Sequence, residues 1–186
     1  MRHYQNYQKC WEYIKSDYTR YGKSPSILKI IGEVVLVRNH CFVYTFWWRL
    51  AKVKSWLYPL AKYKHWRMSK KYGLQIPVPL YVGYGLYIGH GIGIIINQTA
   101  KIGNNVNLSQ FTTIGAHGKA AEIGDNVYIG PSVCIVNDVK ISDNSSIGAG
   151  AVVVKDVPEN STVAGVPAKV LNYDNPGKYI NNRWDF

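Results

Sequence analysis

From Ile96 onward an aliphatic residue recurs at every sixth position: Ile96, Ile102, Leu108 and Ile114, then Ile123, Ile129, Ile135, Ile141, Ile147 and Val153. A helix repeats near 3.6 residues and a strand at 2.0, so neither generates this period. A strict six is the signature of a parallel β-helix, in which each turn stacks on the one before. Four residues after each aliphatic stand Ala100, Val106, Thr112 and Gly118, then Val127, Val133, Val139, Ser145, Ala151 and Val157, small enough to share a narrow prism interior. Gly103-Asn104-Asn105, Gly124-Asp125-Asn126 and Ser142-Asp143-Asn144 supply the corners, where Gly and Asn backbones are needed. Strands of a sandwich would alternate with period two and lose the six-residue phase.

The ladder breaks twice. Upstream, Ile76, Val82, Ile88 and Ile94 also run in sixes, but the phase slips by two residues between Ile94 and Ile96. Downstream, Ile114 to Ile123 spans nine residues, so three extra ones leave the wall at about Ala116 to Glu122. A repeat accommodates insertions as surface loops, where function concentrates. A histidine stands beside each break, His90 and His117.

Charge divides the chain at Gln75. Residues 1–75 hold 15 Lys/Arg against 3 Asp/Glu, a net of +12, while residues 76–186 hold 7 against 8, a net of −1. The first part also holds 16 of the 25 aromatics, including Trp11, Trp47, Trp48, Trp56 and Trp66. The chain therefore divides into an α-helical, basic and aromatic-rich segment (1–75), a repeat domain (76–171) and a polar tail (172–186) that wraps a neighbour or frays.

Residues 5–21 read as a helix ended by Gly22-Lys23-Ser24-Pro25. A second helical stretch, from Ser26 to about Lys71, is broken near Arg38-Asn39-His40 and again before Pro59. Phe42, Phe46, Trp47, Leu50, Val53, Leu57 and Leu60 keep helical spacing along it, with the basic residues Arg49, Lys52, Lys54, Lys62 and Lys64 interleaved. No run reaches the roughly 20 nearly uncharged residues of a membrane span, and Met1 to Gln5 lacks the apolar core and cleavage site of a signal peptide. Two readings of this arm stand: its aromatic face packs on the β-helix flank or a neighbouring subunit, or it makes peripheral contact with anionic lipid at the inner face of the cell membrane. No nucleic-acid motif accompanies the charge, so nucleic acid is not an expected partner. Cys10, Cys41 and Cys134 form neither a disulfide framework nor a zinc spacing, and a reducing cytoplasm fits all three. Cys134, inside the repeat, is expected to be buried as a small apolar residue.

The run from Ile88 to Gly103, opening on Ile88-Gly89-His90-Gly91-Ile92-Gly93, resembles the catalytic stretch of the serine acetyltransferase branch of hexapeptide-repeat acyltransferases. Ile147-Gly148-Ala149-Gly150-Ala151-Val152-Val153, continuing to Pro158 and then Val163-Ala164-Gly165-Val166-Pro167-Ala168-Lys169-Val170, is similar to their closing signature. The resemblance covers about residues 75–171. It implies a left-handed β-helix, a homotrimer with active sites between subunits, and acetyl-CoA as acyl donor. It also implies that His90 is the general base. An unaided hydroxyl is too weakly acidic to attack a thioester, whereas a neutral imidazole can take its proton and pass it to the departing thiolate. A backbone N–H meets the oxyanion, and the Gly89 to Gly93 wall lets substrate approach. His117 is the competitor: its loop occupies the insertion that in this family borders the thioester end of CoA, so it is a candidate contact to acceptor or cofactor and the alternative base, or else an exposed loop side chain. Positions matching CoA contacts are Gly118, Lys119, Pro131, Ala149, Val154, Lys155 and Lys169. No metal is expected: a zinc hydratase on this repeat would need three converging histidines, and only His90 and His117 lie in the coils.

The chain departs from that family where serine would be held. Gly89 replaces an Asp, Gln75 stands where an Asp orients the histidine, Pro77 stands for another His, and Lys119-Ala120-Ala121-Glu122 lacks an Arg-His pair. Loss of these charges, with Gly, Gln and aromatics in their place, points to a neutral, hydroxyl-rich acceptor. The N-terminal segment resembles, more loosely, that of capsule and exopolysaccharide acetyltransferases. The expectation is therefore an O-acetyltransferase of polysaccharide biosynthesis, transferring directly to a saccharide hydroxyl, including one on a lipid carrier. Serine or another small molecule is the alternative acceptor, and a non-catalytic docking β-helix is the alternative class.

Overall fold

A computed structural model describes residues 7–185; the readings made on residues 1–6 lie outside the described residues. Four helices come first: α1 (Tyr7–Thr19), α2 (Ile27–Leu36), α3 (His40–Leu50) and α4 (Tyr58–Tyr72). Their ends have local causes. The Ser26 side chain accepts from Lys29 N to start α2, Asn39 Oδ1 accepts from Cys41 N and Phe42 N to start α3, and Pro59 opens α4. Gly73, left-handed at φ 65°, closes α4.

Among the described residues fourteen short strands follow: β1 (Tyr81–Val82), β2 (Tyr87–Ile88), β3 (Ile95–Ile96), β4 (Lys101–Ile102), β5 (Asn107–Leu108), β6 (Thr113–Gly115), β7 (Glu122–Ile123), β8 (Tyr128–Ile129), β9 (Cys134–Val136), β10 (Lys140–Ile141), β11 (Ser146–Ile147), β12 (Val152–Val153), β13 (Thr162–Ala164) and β14 (Lys169–Asn172). They form three faces visited in rotation: β1-β4-β7-β10, then β2-β5-β8-β11-β13, then β3-β6-β9-β12, and β14 pairs antiparallel with β13 at the end of the second. The result is a left-handed parallel β-helix. The six-residue aliphatics stack in columns; Ile88, Leu108, Ile129, Ile147 and Val163 lie in register down the second face, all buried.

The corners between first and second faces hold Asn105, Asn126, Asn144 and Asn160 at φ between 54° and 60°. Asparagine tolerates this left-handed backbone, and its amide bonds to the next coil: Asn126 Nδ2 donates to Asn144 Oδ1, and Asn144 Nδ2 to Asn160 Oδ1, each at 3.1 Å. Gly118, expected in the interior, lies exposed in the Ala116 to Ala121 loop; Ala120 and Ala121 are buried instead, because the insertion moves the inward position past the loop.

The first coil has no rung before it, so its backbone groups need other partners. The helices supply them. Arg49 donates to Val82 O (2.9 Å) and Gly83 O (2.7 Å), Arg20 to Gly85 O (2.8 Å), Asp17 accepts from Leu86 N (2.8 Å) and Ser16 from Gly85 N (2.9 Å). Arg49 also forks onto Asp17 at 2.9 and 3.0 Å. Burial holds the Asp17 carboxyl above the ordinary carboxylate range, against the pull of Arg49 and the Leu86 N–H, which favour the anion. Arg49 and Lys52, read from sequence among the basic residues of a surface arm, are thus buried beneath main-chain carbonyls, Lys52 donating to Leu80 O.

The described part of the tail, expected to wrap a neighbour or fray, packs on the chain's own coil. Gly177 N donates to Asn144 O (2.8 Å), Tyr179 packs on Tyr128 at 4.6 Å and accepts through its carbonyl from Asn107 Nδ2 (2.9 Å). Asn181 O then accepts from Arg20 Nε (3.1 Å), and Trp184 exchanges two hydrogen bonds with the Asn105 amide.

Candidate active site

The turn from the second face to the third, in the first coil, carries the two-residue slip. Ile95 N donates to Thr112 O (2.9 Å), so Ile94 fills the interior corner place that Thr112 fills one coil later. The extra residues therefore lie in Gly89 to Gly93, upstream of the place where the period shows the break. His90 rides on this bulge, exposed to solvent, with its carbonyl accepting from Ile92 N at 3.0 Å.

Gly93 is the glycine the bulge demands: its φ is 66°, and a Cβ there would stand 2.6 Å from the Phe111 ring. At Gly91 a Cβ would stand a tight 3.1 Å from Cys41 Sγ, which would have to give by a few tenths of an ångström. Helices grip the bulge from below. Gly91 N donates to Cys41 Sγ (3.2 Å), Cys41 Sγ reaches Gly89 O (3.6 Å), and the Tyr21 hydroxyl donates to Ile88 O (3.1 Å) while accepting from Ile88 N (3.3 Å). His40 stacks on Tyr72 at 4.5 Å beside them. Burial pushes the Cys41 thiol and the Tyr21 hydroxyl up, so both stay protonated and serve as scaffold.

Among the described residues no side chain hydrogen-bonds to the His90 ring. Gln75 stands on the first rung of the third face, pairing through its backbone with Ile94 O (2.8 Å) and Ile96 N (3.0 Å), its side chain exposed. It forms an isolated bridge to Ile95 of β3, into which the bulge runs.

The remaining sequence-derived positions, Lys169 apart, fall into two columns. Pro131 and Ala149 share the His90 edge, backed by Gly89, Ser109, Gly130 and Gly148 in register. His117, Gly118 and Lys119 occupy the loop on the other edge of the third face, with Val154 and Lys155 two coil turns along, following β12. Asn97 Nδ2 donates to Ala116 O (3.2 Å) and Thr99 Oγ1 to Gly118 O (3.3 Å), fastening that loop to the preceding coil. His117 is exposed. Lys119 pairs with Asp138 (3.0 Å) and Glu122 (3.3 Å), whose hydrogen bonds raise its pKa. Lys169 opens β14, exposed at the end of the stack.

The two histidines therefore lie at opposite edges of one sheet, with Ile95, Thr113, Cys134 and Val152 facing outward between them. Cys134 points out of the prism and is half-buried, contrary to the expected interior place; it precedes the inward Ile135. Sequence reasoning missed Cys41, His40, Tyr21 and Phe111, as well as Gln110, whose Oε1 is buried without a partner next to Phe111. The signal available was Gly91 and Gly93, whose missing side chains announce close neighbours without naming them. Among the described residues no group of three His, Cys, Asp or Glu is placed to hold a metal.

The profile of the bacterial transferase hexapeptide (six repeats) family matches residues 120–155. Serine acetyltransferase from Staphylococcus aureus is 37% identical over 118 residues, covering 60% of this chain and 55% of that protein. Serine acetyltransferase 4 from Arabidopsis thaliana is 37% identical over 112 residues, covering 58% and 32%. The chain thus spans about half the length, or less, of these curated relatives. Among solved structures, Neisseria gonorrhoeae serine acetyltransferase in complex with serine superposes with a TM-score of 0.71 at 31% identity, covering 87% of this chain and 69% of that one. The Brucella abortus enzyme in complex with coenzyme A gives 0.72 at 29%, covering 89% and 68%. These findings overturn the saccharide acceptor and the capsule or exopolysaccharide character expected from sequence. Some aromatics of the N-terminal segment pack on the coil, Trp48 donating to Pro77 O (3.1 Å) and Tyr21 to Ile88 O, while Trp56 and Trp66 of that segment and Phe111 of the coil stay exposed.

Proposed function

The chain belongs to the hexapeptide-repeat transferases, and from that premise we propose that it transfers the acetyl group of acetyl-CoA to the hydroxyl of serine. The observation that carries this reading is an exposed imidazole, His90, on a glycine bulge at the prism edge, with a column of small residues running down the stack beside it. His90 takes the hydroxyl proton as the oxygen attacks the thioester carbonyl carbon. A backbone N–H of the wall meets the oxyanion. Collapse breaks the C–S bond, and the imidazolium returns its proton to the thiolate, so the acetyl group passes directly and no acyl-enzyme forms.

The opposite wall of the groove comes from a second copy. His90 and His117 lie on different edges of one sheet, so a cleft containing both needs two chains, and a homotrimer closes three such clefts. CoA lies along the seam, with Gly118 and Lys119 of one chain facing Pro131 and Ala149 of another, and Val154, Lys155 and Lys169 toward its phosphates.

One observation favours a second reading. The chain holds no Asp or Glu between Glu33 and Glu122, so no carboxylate near His90 in the sequence faces a substrate ammonium. A small hydroxyl compound without a free ammonium fits that better. Thiol release from acetyl-CoA, measured with serine, N-blocked serine and small alcohols, separates the two. His90→Ala should lower turnover by roughly 10² to 10⁴ with the fold retained; full activity in that variant removes His90 from the chemistry.

A further inference from the structure

The helical cap carries a surface that neither the coil nor the acetyl transfer uses. α2 presents Leu28, Ile31 and Val35 along one side, exposed at 82%, 49% and 70%. Its one carboxylate, Glu33, is buried and paired with Lys23 at 2.7 Å, so the exposed side of α2 is almost wholly apolar. Together with α4 it forms a groove of about 510 Å³ floored by Phe46 and Trp47 of α3.

The α4 wall is cationic. Lys64, Arg67 and Lys71 line it, and Trp66 stands exposed at 56% close by. Among the described residues none of those three cations has an ion-pair partner. The stretch between Glu33 and Glu122 contains no carboxylate that could supply one locally.

An apolar strip flanked by unneutralised cations matches the boundary of an anionic bilayer, with acyl chains against one and phosphates against the other. A second copy of the same surface would set cation against cation. Nucleic acid would meet the cations but leave the α2 strip in water. We propose that α2 and the Lys64 to Lys71 edge of α4 dock the protein peripherally on an anionic membrane. Among the described residues no helix is long and apolar enough to cross one. The groove ends at Tyr72, which stacks on His40 next to Cys41, the residue that holds Gly91. Docking therefore brings the His90 edge beside the lipid surface.

The test is flotation of the full chain with vesicles of phosphatidylcholine alone or mixed with phosphatidylglycerol. Binding should require phosphatidylglycerol and weaken with salt. The triple variant Lys64→Gln, Arg67→Gln, Lys71→Gln should bind about a hundredfold more weakly, at about fivefold per charge. Leu28→Glu with Val35→Glu should abolish flotation while circular dichroism and acetyl transfer to a soluble acceptor stay unchanged. Failure of the parent chain to float, equal binding to neutral vesicles, or unchanged binding by both variants overturns the proposal. Self-association lost in Leu28→Glu, without vesicle binding by the parent chain, overturns it in favour of a second copy.

Discussion

The coil and the helical cap face the same requirement, a partner for every backbone polar group around a narrow core, and meet it in opposite ways. In the coil the strand residues donate to the next rung, as in Gly89 N to Leu108 O, Ser109 N to Ile129 O and Gly130 N to Ile147 O, and corner residues such as Asn105, Asn126 and Asn144 donate back to the preceding one, a pattern repeated coil after coil. In the cap a set of unlike side chains, Ser16, Asp17, Arg20, Arg49, Lys52 and Tyr21 among them, serves one open edge. Repetition spreads stability over many equivalent contacts, whereas the cap concentrates it in a few that have no substitute.

That contrast is open to measurement. Asp17→Ala removes the buried carboxylate onto which Arg49 forks, and should cost about 3 to 5 kcal/mol in denaturant unfolding; a loss no larger than that of a corner substitution would break the comparison. His65, bonded to the Tyr44 hydroxyl at 2.9 Å, has its pKa lowered by burial from 6.5 to about 4. As pH falls through that window the unfolded chain gains a proton that the folded one refuses. Stability should drop by about 3 kcal/mol between those limits, and His65→Gln should flatten that slope. Asn126→Ala loses the left-handed preference and one ladder bond, and should cost only about 1 kcal/mol by thermal unfolding, with Asn126→Gly costing less.

The coil was legible because its period recurs along the chain: ten aliphatics in two runs of sixes leave one architecture. The position of the slip was not, since Ile94 and Ile96 are both inward and satisfy either phase; only the pairing of Ile95 with Thr112 decides. Breaks between helices were readable from Ser26, Asn39 and Pro59, which act locally. The roles of Arg49 and Lys52 were hidden, because a count of charges cannot distinguish a cation in water from one beneath a carbonyl. For the site, the sequence singled out His90 through its motif. The scaffold under it, Cys41 and Tyr21, joins residues 50 and 67 positions apart and follows no repeat. The acceptor was misread because missing charges were weighed together with the aromatic content of a separate segment, part of which, Trp48 and Tyr21, is engaged in packing on the coil.

A linear stack whose units touch only their neighbours can peel from either end. Here the final segment runs back along the prism until Asn181 meets Arg20 and Trp184 meets Asn105, lashing the last turns to the first. Losing the bottom turn thus requires releasing the top as well, and an architecture built to fray is made to melt as a single cooperative unit.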